Sequence, residues 1–162
     1  TQGDYEKALE YYQKSLDITQ EIGDKSGEGT TLNNIGLIYK TQGDYEKALE
    51  YYQKSLDIRQ EIGDKSGEIP TLHNMAMIAY AKNDLKSYMQ YESSAYQLAS
   101  EIGEAQGLFT IGKILGEELC MSGQKDQGLP MLVKAYSIGI KAGYPGVNKV
   151  KELIDKYQKE QN

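Results

Sequence analysis

Side chains able to carry acid–base or nucleophilic chemistry are few and scattered. The chain has one histidine, His73, and one cysteine, Cys120. Catalysis through either needs a second group within hydrogen-bond reach. No glycine-rich phosphate loop, nucleophile elbow or spaced set of metal ligands accompanies them. Glu117 and Glu118 are neighbours on a helical pattern, so their carboxylates point apart rather than converge on a bond. The sequence therefore reads as a non-enzyme, with no cofactor and no metal. The amides are more pointed. Asn34 and Asn74 stand at equivalent positions 40 apart. A side-chain amide both donates and accepts, so a ladder of them can bracket the backbone of an extended peptide. The plainer alternative is that a polar helix position tolerates Asn and that duplication copied it.

What must position these residues is a repeat. Residues 1–28 and 41–68 are identical at 27 of 28 positions, differing only as Thr19 against Arg59. The period continues through Gly23, Gly63, Gly103 and Gly143, which fall 40 apart. A fixed period of this length marks stacked supersecondary units. Only residues 144–162 fall outside the frame.

Composition bounds the class. With 39% hydrophobic residues, no Trp, one Phe and 14 Tyr, the core must be built from Leu, Ile, Ala and Tyr, which suits thin stacked layers. Nothing approaches the roughly 18 apolar residues in a row that span a bilayer, and no signal peptide opens the chain, so no membrane partner is expected. A lone cysteine excludes an internal disulfide and points to a reducing, cytoplasmic compartment. Residues 1–80 hold 8 basic and 14 acidic side chains, and the rest 10 of each, so the net charge of −6 sits in the first half. That acidity argues against nucleic acid, which needs clustered Lys and Arg, and otherwise reads as a solvated face.

Leu32, Ile35, Gly36 and Tyr39 follow the i, i+3, i+4, i+7 spacing of a helix with one apolar stripe. Tyr45, Ala48, Leu49, Tyr52, Leu56 and Ile62 continue it on a second, longer helix. Each unit is thus an antiparallel helix pair, punctuated by Gly43 as a left-handed stop and Asp44 as a cap, with Gly63 and Asp64 repeating the device between units. Small residues belong where helices approach closely: Gly36 facing Ala48, and Gly116 facing Gly128. In the third unit Tyr88 and Glu92 replace Ala48 and Tyr52, which predicts a rotated or displaced second helix. Pro130 predicts a late start or a kink in the fourth unit's second helix. Pro70 falls where a first helix should begin and is harmless there.

These residues resemble a known family. Leu32, Ile35, Gly36 and Tyr39, then Gly43-Asp44-Tyr45, Ala48, Tyr52 and Ser55, are similar to the W/L-x2-L-G-x2-Y…A-x3-F/Y-x2-A signature of the tetratricopeptide repeat (TPR). The 40-residue spacing, against roughly 34 in that family, resembles the long-helix TPRs of the LGN/Pins type and of bacterial multi-repeat signalling proteins. The resemblance implies an all-α, right-handed TPR solenoid over 1–162. It would comprise a lone second helix at 4–22, units at 27–62, 69–102 (divergent) and 105–142, and a C-terminal capping helix at 146–160 carrying Val147, Val150, Leu153, Ile154 and Tyr157. The chain opens with a second helix whose partner is missing, which reads as a fragment of a longer array.

The resemblance also implies a function: a protein–protein interaction scaffold holding a peptide or helix of a partner protein in a concave groove. The family's groove positions fall on Asn33, Asn34, Leu37 and Lys40 in the second unit, His73, Asn74, Met77 and Tyr80 in the third, and Lys113 and Glu117 in the fourth. Leu37, Met77 and Tyr80 supply apolar contact if the groove is open and are merely core if helices close over them. His73 reads as a solvated or packed histidine rather than a switch. Lys113 could pair with a ligand carboxylate, although a two-carboxylate clamp needs more basic residues. The alternatives are a structural or self-associating spacer, a homo-oligomer stacking through the uncapped N-terminal helix, and a regulatory segment of a larger signalling protein. The twin segments are mostly second helix and linker, so specificity is to be sought on the first helices.

Overall fold

The computed structural model describes residues 2–159. Its order is α1 (Gln2–Ile22), α2 (Lys25–Gln42), α3 (Tyr45–Ile62), α4 (Lys65–Ala81), α5 (Leu85–Ile102), α6 (Ala105–Met121), α7 (Lys125–Ala142) and α8 (Val147–Lys159). Among the described residues there is no strand. The expected end of the capping helix, Glu160, lies outside the described residues.

The breaks are chemical. Gly43 turns the chain with φ 80°, a region that costs most L-residues steric strain but glycine nothing. Its N–H and that of Asp44 close back on the carbonyls of Lys40 at 3.1 Å and Tyr39 at 2.9 Å. Asp44 then accepts from the Lys47 N–H at 3.2 Å, so the same corner ends α2 and caps α3. Asp24 and Asp64 cap α2 and α4 in the same way. After α4 the left-handed residue is Asn83, φ 59°, the side chain best suited to replace glycine there, and Asp84 caps α5 through Ser87.

Contacts divide the chain into two compact units, Thr1–Tyr91 and Glu92–Asn162, with the boundary inside α5. In the first, α1 packs on α2, α2 on α3 and α3 on α4, and the first helices α2 and α4 also touch. Leu16, Leu32 and Ile35 form its buried cluster, edged by Leu9, Tyr12, Tyr39, Tyr51 and Ile58. The closest approach is Gly36 to α3. A Cβ there would stand 2.7 Å from the Tyr52 ring and 3.2 Å from the Ala48 carbonyl oxygen, so the Gly36–Ala48 pairing read from the sequence holds. In the second unit α6 packs on α7, α7 on α8, and α6 also meets α8. Phe109, Leu132, Ala135, Val150, Ile154 and Tyr157 form its core, and Gly116 abuts the Gly128 carbonyl as expected.

Three expectations need correction. Helix α5 is not rotated: Tyr88, Glu92, Ala95 and Ala99 are buried, the same four positions that Ala48, Tyr52, Ser55 and Arg59 occupy on α3. The helical period of the whole stripe, with two alanines, sets the buried face, and one bulky substitution does not turn it. Helix α7 does not start late, because Lys125 opens it with Pro130 inside. Pro130 lies in the second turn on the exposed side, where water can meet the carbonyl that loses its N–H partner. Pro70 likewise sits inside α4, not at its first position, and is also exposed.

Candidate functional site

In the first unit the face shared by α2 and α4 carries eight of the sequence-derived groove residues. It is cross-tied. Thr71 Oγ1 donates to Asn33 Oδ1 at 3.2 Å, and Lys40 Nζ donates to Asn74 Oδ1 at 3.1 Å. The Lys40 ammonium is half-buried, and desolvation lowers its pKa, because leaving water disfavours the charged form. Of the two amides in the ladder read from the sequence, Asn74 has its oxygen bonded to Lys40 within the protein, and Asn34 is half-buried.

The apolar members of this face differ in access. Leu37 is 41% exposed and Tyr80 53%, while Met77 and His73 are half-buried. The Tyr80 ring leans on Tyr88 with centroids 5.2 Å apart and planes tilted 54°, so one ring face is fixed by packing and the edge is left open. Helices do not close over Leu37 or Tyr80.

Lys113 and Glu117 lie on α6 in the second unit, both half-buried. There they line a hollow of about 500 Å³ with Lys149, Glu152, Leu153 and Lys156 of α8. From the sequence only the apolar residues of α8 stand out, and none of these charges. The available signal was their i, i+3, i+7 spacing, which puts them on one stripe, but which helix faces that stripe is a tertiary fact. Cys120 is buried, where Gly128 packs against its sulfur, so it is a small core residue.

Another hollow, about 480 Å³, opens beside α1 and is lined by Glu6, Leu9, Glu10, Gln13, Ile35, Tyr39 and Tyr51. Tyr39 and Tyr51 stack in it with centroids 5.5 Å apart. Beyond it α1 leaves Tyr11, Ile18 and Ile22 exposed, Tyr11 at 72%. Among the described residues no group of three or more His, Cys, Asp and Glu could hold a metal ion, and no helix is long and apolar enough to cross a membrane.

Comparison with known proteins agrees with this architecture. The family model described as "Tetratricopeptide repeat" matches residues 1–61 and 28–101. No curated protein sequence matches the chain. Among solved structures it is similar to BtubC (BKLC) from P. vanneervenii, with TM-score 0.68 and 18% identity over 98% of this chain and 73% of that one. It is also similar to aspartyl phosphate phosphatase F from Bacillus subtilis, with TM-score 0.61 and 16% identity over 98% of this chain and 45% of that one. The likeness to both is one of fold. Repeats of the matched family generally mediate protein–protein interaction and typically serve as non-catalytic scaffolds. With its model matched across most of the first hundred residues and the same helix-pair architecture, the chain belongs to the tetratricopeptide-repeat family.

Proposed function

We propose that this protein is a non-catalytic interaction module that holds an extended peptide or a helix of a partner protein on the face shared by α2 and α4. One observation carries the reading: exposed Leu37 and Tyr80 flank a row of amides on that face. Apolar anchors beside adaptable polar groups are the composition of a binding hot spot, since the apolar contact supplies affinity and the amides register the backbone. Screening the chain against a peptide array, then repeating with Leu37→Ala, Tyr80→Ala and Asn34→Ala, tests it. Binding should fall about tenfold for either apolar truncation. Binding that survives all three substitutions unaltered sinks the reading.

A second reading, self-association, is favoured by α1. Tyr11, Ile18 and Ile22 form an exposed apolar stripe at helical spacing, whereas the matching Tyr51 and Ile58 of α3 pack against the core of their unit. Light scattering over a concentration series separates the two. A monomer at every concentration, with Tyr11→Glu causing no change, removes self-association.

A further inference from the structure

We infer that the open side of α1 is a docking surface for a helix of a partner protein, one that carries the same stripe by which α2 covers α3. This goes beyond the α2–α4 reading and does not depend on it. It gives the open side a foreign helix where the second reading above puts another copy.

The repeat itself says what covers such a side. Residues 1–28 and 41–68 match at 27 of 28 positions, so α1 and α3 present the same side chains, yet α3 packs between α2 and α4 whereas α1 packs on α2. Ala48, Tyr52 and Ser55 are completely buried, and their counterparts Ala8, Tyr12 and Ser15 only half-buried. Tyr51 and Ile58 edge the cluster that contains Leu32 and Ile35 of α2, while Tyr11 and Ile18 are exposed. Leu16, which packs against the helix that follows, is by contrast as buried as Leu56. The uncovered side of α1 is thus the side that α2 covers on α3, and burying its apolar surface favours association.

Each contact on α3 states what the partner must offer. A Cβ on Gly36 would stand 2.7 Å from the Tyr52 ring and 3.2 Å from the Ala48 carbonyl oxygen, so the partner needs glycine opposite Ala8 and Tyr12. One turn later Tyr39 stacks on Tyr51, which asks for an aromatic ring on Tyr11. Two turns earlier the Gly29 carbonyl accepts from Ser55 at 2.7 Å; Ser15 has instead the Thr31 hydroxyl at 3.3 Å. The partner stripe is therefore a carbonyl, apolar residues three and six positions on, glycine at seven and an aromatic at ten, all along one side of a helix. Charge narrows it further. Asp4, Glu6, Glu10, Asp17 and Glu21 of α1 outnumber Lys7 and Lys14, which favours a neutral or basic helix.

A second copy has no such helix to spare. Gly36 and Gly116 are already closed against α3 and α7, and Ala76, their counterpart on α4, is completely buried. Helix α8 packs on α7 as α4 packs on α3, but it carries Lys156 forty positions after Gly116, too bulky for that approach.

The probe is a fluorescein-labelled, end-blocked peptide with the sequence of residues 25–42, titrated against the full 162-residue chain by fluorescence anisotropy. We expect saturable binding that falls about tenfold with Tyr11→Ala. Ala8→Arg, whose long side chain fills the glycine contact, should reduce it to background. The same peptide with leucine in place of the glycine that corresponds to Gly36 should not bind. Circular dichroism of each variant verifies that it is folded. Failure of the wild type to bind, equal binding of the leucine peptide, or undiminished binding by Ala8→Arg overturns the inference. A loss of similar size with Leu37→Ala or Tyr80→Ala also overturns it, because it places the peptide on the α2–α4 face. So does light scattering that shows a wild-type dimer dispersed by Ala8→Arg, which gives the open side to a second copy. Should the probe fail while array peptides depend on Leu37 and Tyr80, the inference falls and the α2–α4 reading stands. The converse result removes the α2–α4 reading alone.

Discussion

Arg59 and Asp64 are joined through the guanidinium Nη1 and the carboxylate Oδ2 at 2.5 Å, tying the last turn of α3 to the first residue before α4. The other carboxylate oxygen accepts the Gly67 N–H at 2.9 Å, so one side chain both caps α4 and holds α3. Arg59 also donates to Ser55 Oγ and Thr30 Oγ1, each at 3.3 Å, and Ser55 donates to the Gly29 carbonyl at 2.7 Å. In the twin segment the same position is Thr19, whose hydroxyl turns back to the Leu16 carbonyl. The one difference between the copies is thus the centre of a network.

Arg59→Thr, which makes the two copies identical, should destabilise the chain by about 1–3 kcal/mol, the range for removing one partner from a buried charged network. Urea unfolding followed by circular dichroism reads it. An unchanged midpoint would mean that the network contributes nothing net. Thr19→Arg should stabilise by about 0.5 kcal/mol through a new pair with Asp24, less than the α3 network because the Thr30 contact has no counterpart.

Two glycine-to-alanine changes should move stability in opposite directions. A Cβ on Gly128 would lie 2.5 Å from the Gly116 carbonyl oxygen and 2.9 Å from the Cys120 backbone nitrogen. Backbone cannot yield as a side-chain end can, so Gly128→Ala should cost about 2 kcal/mol despite its better helix propensity. On Gly29 the nearest atoms stand at 3.5 Å or more, ordinary contact distance, and Gly29→Ala should stabilise by up to about 1 kcal/mol. Thermal melts of both variants beside the parent decide the signs.

Removing the interior prolines should stabilise. Pro130→Ala restores the N–H that the Asp126 carbonyl lacks, and Pro130 is exposed, so no packing is lost. A gain of about 1–3 kcal/mol is expected. A lowered urea midpoint would show instead that the proline shapes α7 in a way its neighbours require.

The Tyr52 phenol is fully buried with no hydrogen-bond partner in the protein, and burial holds its pKa well above the ordinary 10.0. A raised folded pKa means that the folded state keeps the proton longer than the unfolded chain. The stability it lends is complete below about pH 10 and declines as pH rises beyond it. Tyr52→Phe should therefore be neutral or mildly stabilising at pH 7 and should flatten the alkaline loss. Unfolding midpoints at pH 8 through 11.5 test it, and equal slopes in both proteins would remove Tyr52 as the cause. Tyr96, also raised by burial, accounts for some residual slope.

Much of this was legible beforehand because it is local. Gly43, Asp44, Gly63 and Asp64 write their turns into the chain, and the Gly36–Ala48 contact follows from helical spacing. The misreadings came from weighing single residues against a whole stripe. Tyr88 suggested a rotated α5 and Pro130 a late α7, yet α5 buries the face its whole stripe dictates and α7 begins at Lys125. The charge stripe of α8 was visible as spacing, but not that α6 would face it.

The twin segments draw the line between the two kinds of information. Sequence alone determined that both copies of the 40-residue period end their helix at the same isoleucine, Ile22 or Ile62, and follow it with the same glycine turn and aspartate cap, since propensity, apolar spacing and capping act within a few residues. Only the tertiary structure decided what each copy does with it. Tyr52 is completely buried under α2, whereas its twin Tyr12 is half-buried on α1. Burial is a property of neighbours, and a repeated sequence cannot state which of its copies will have them.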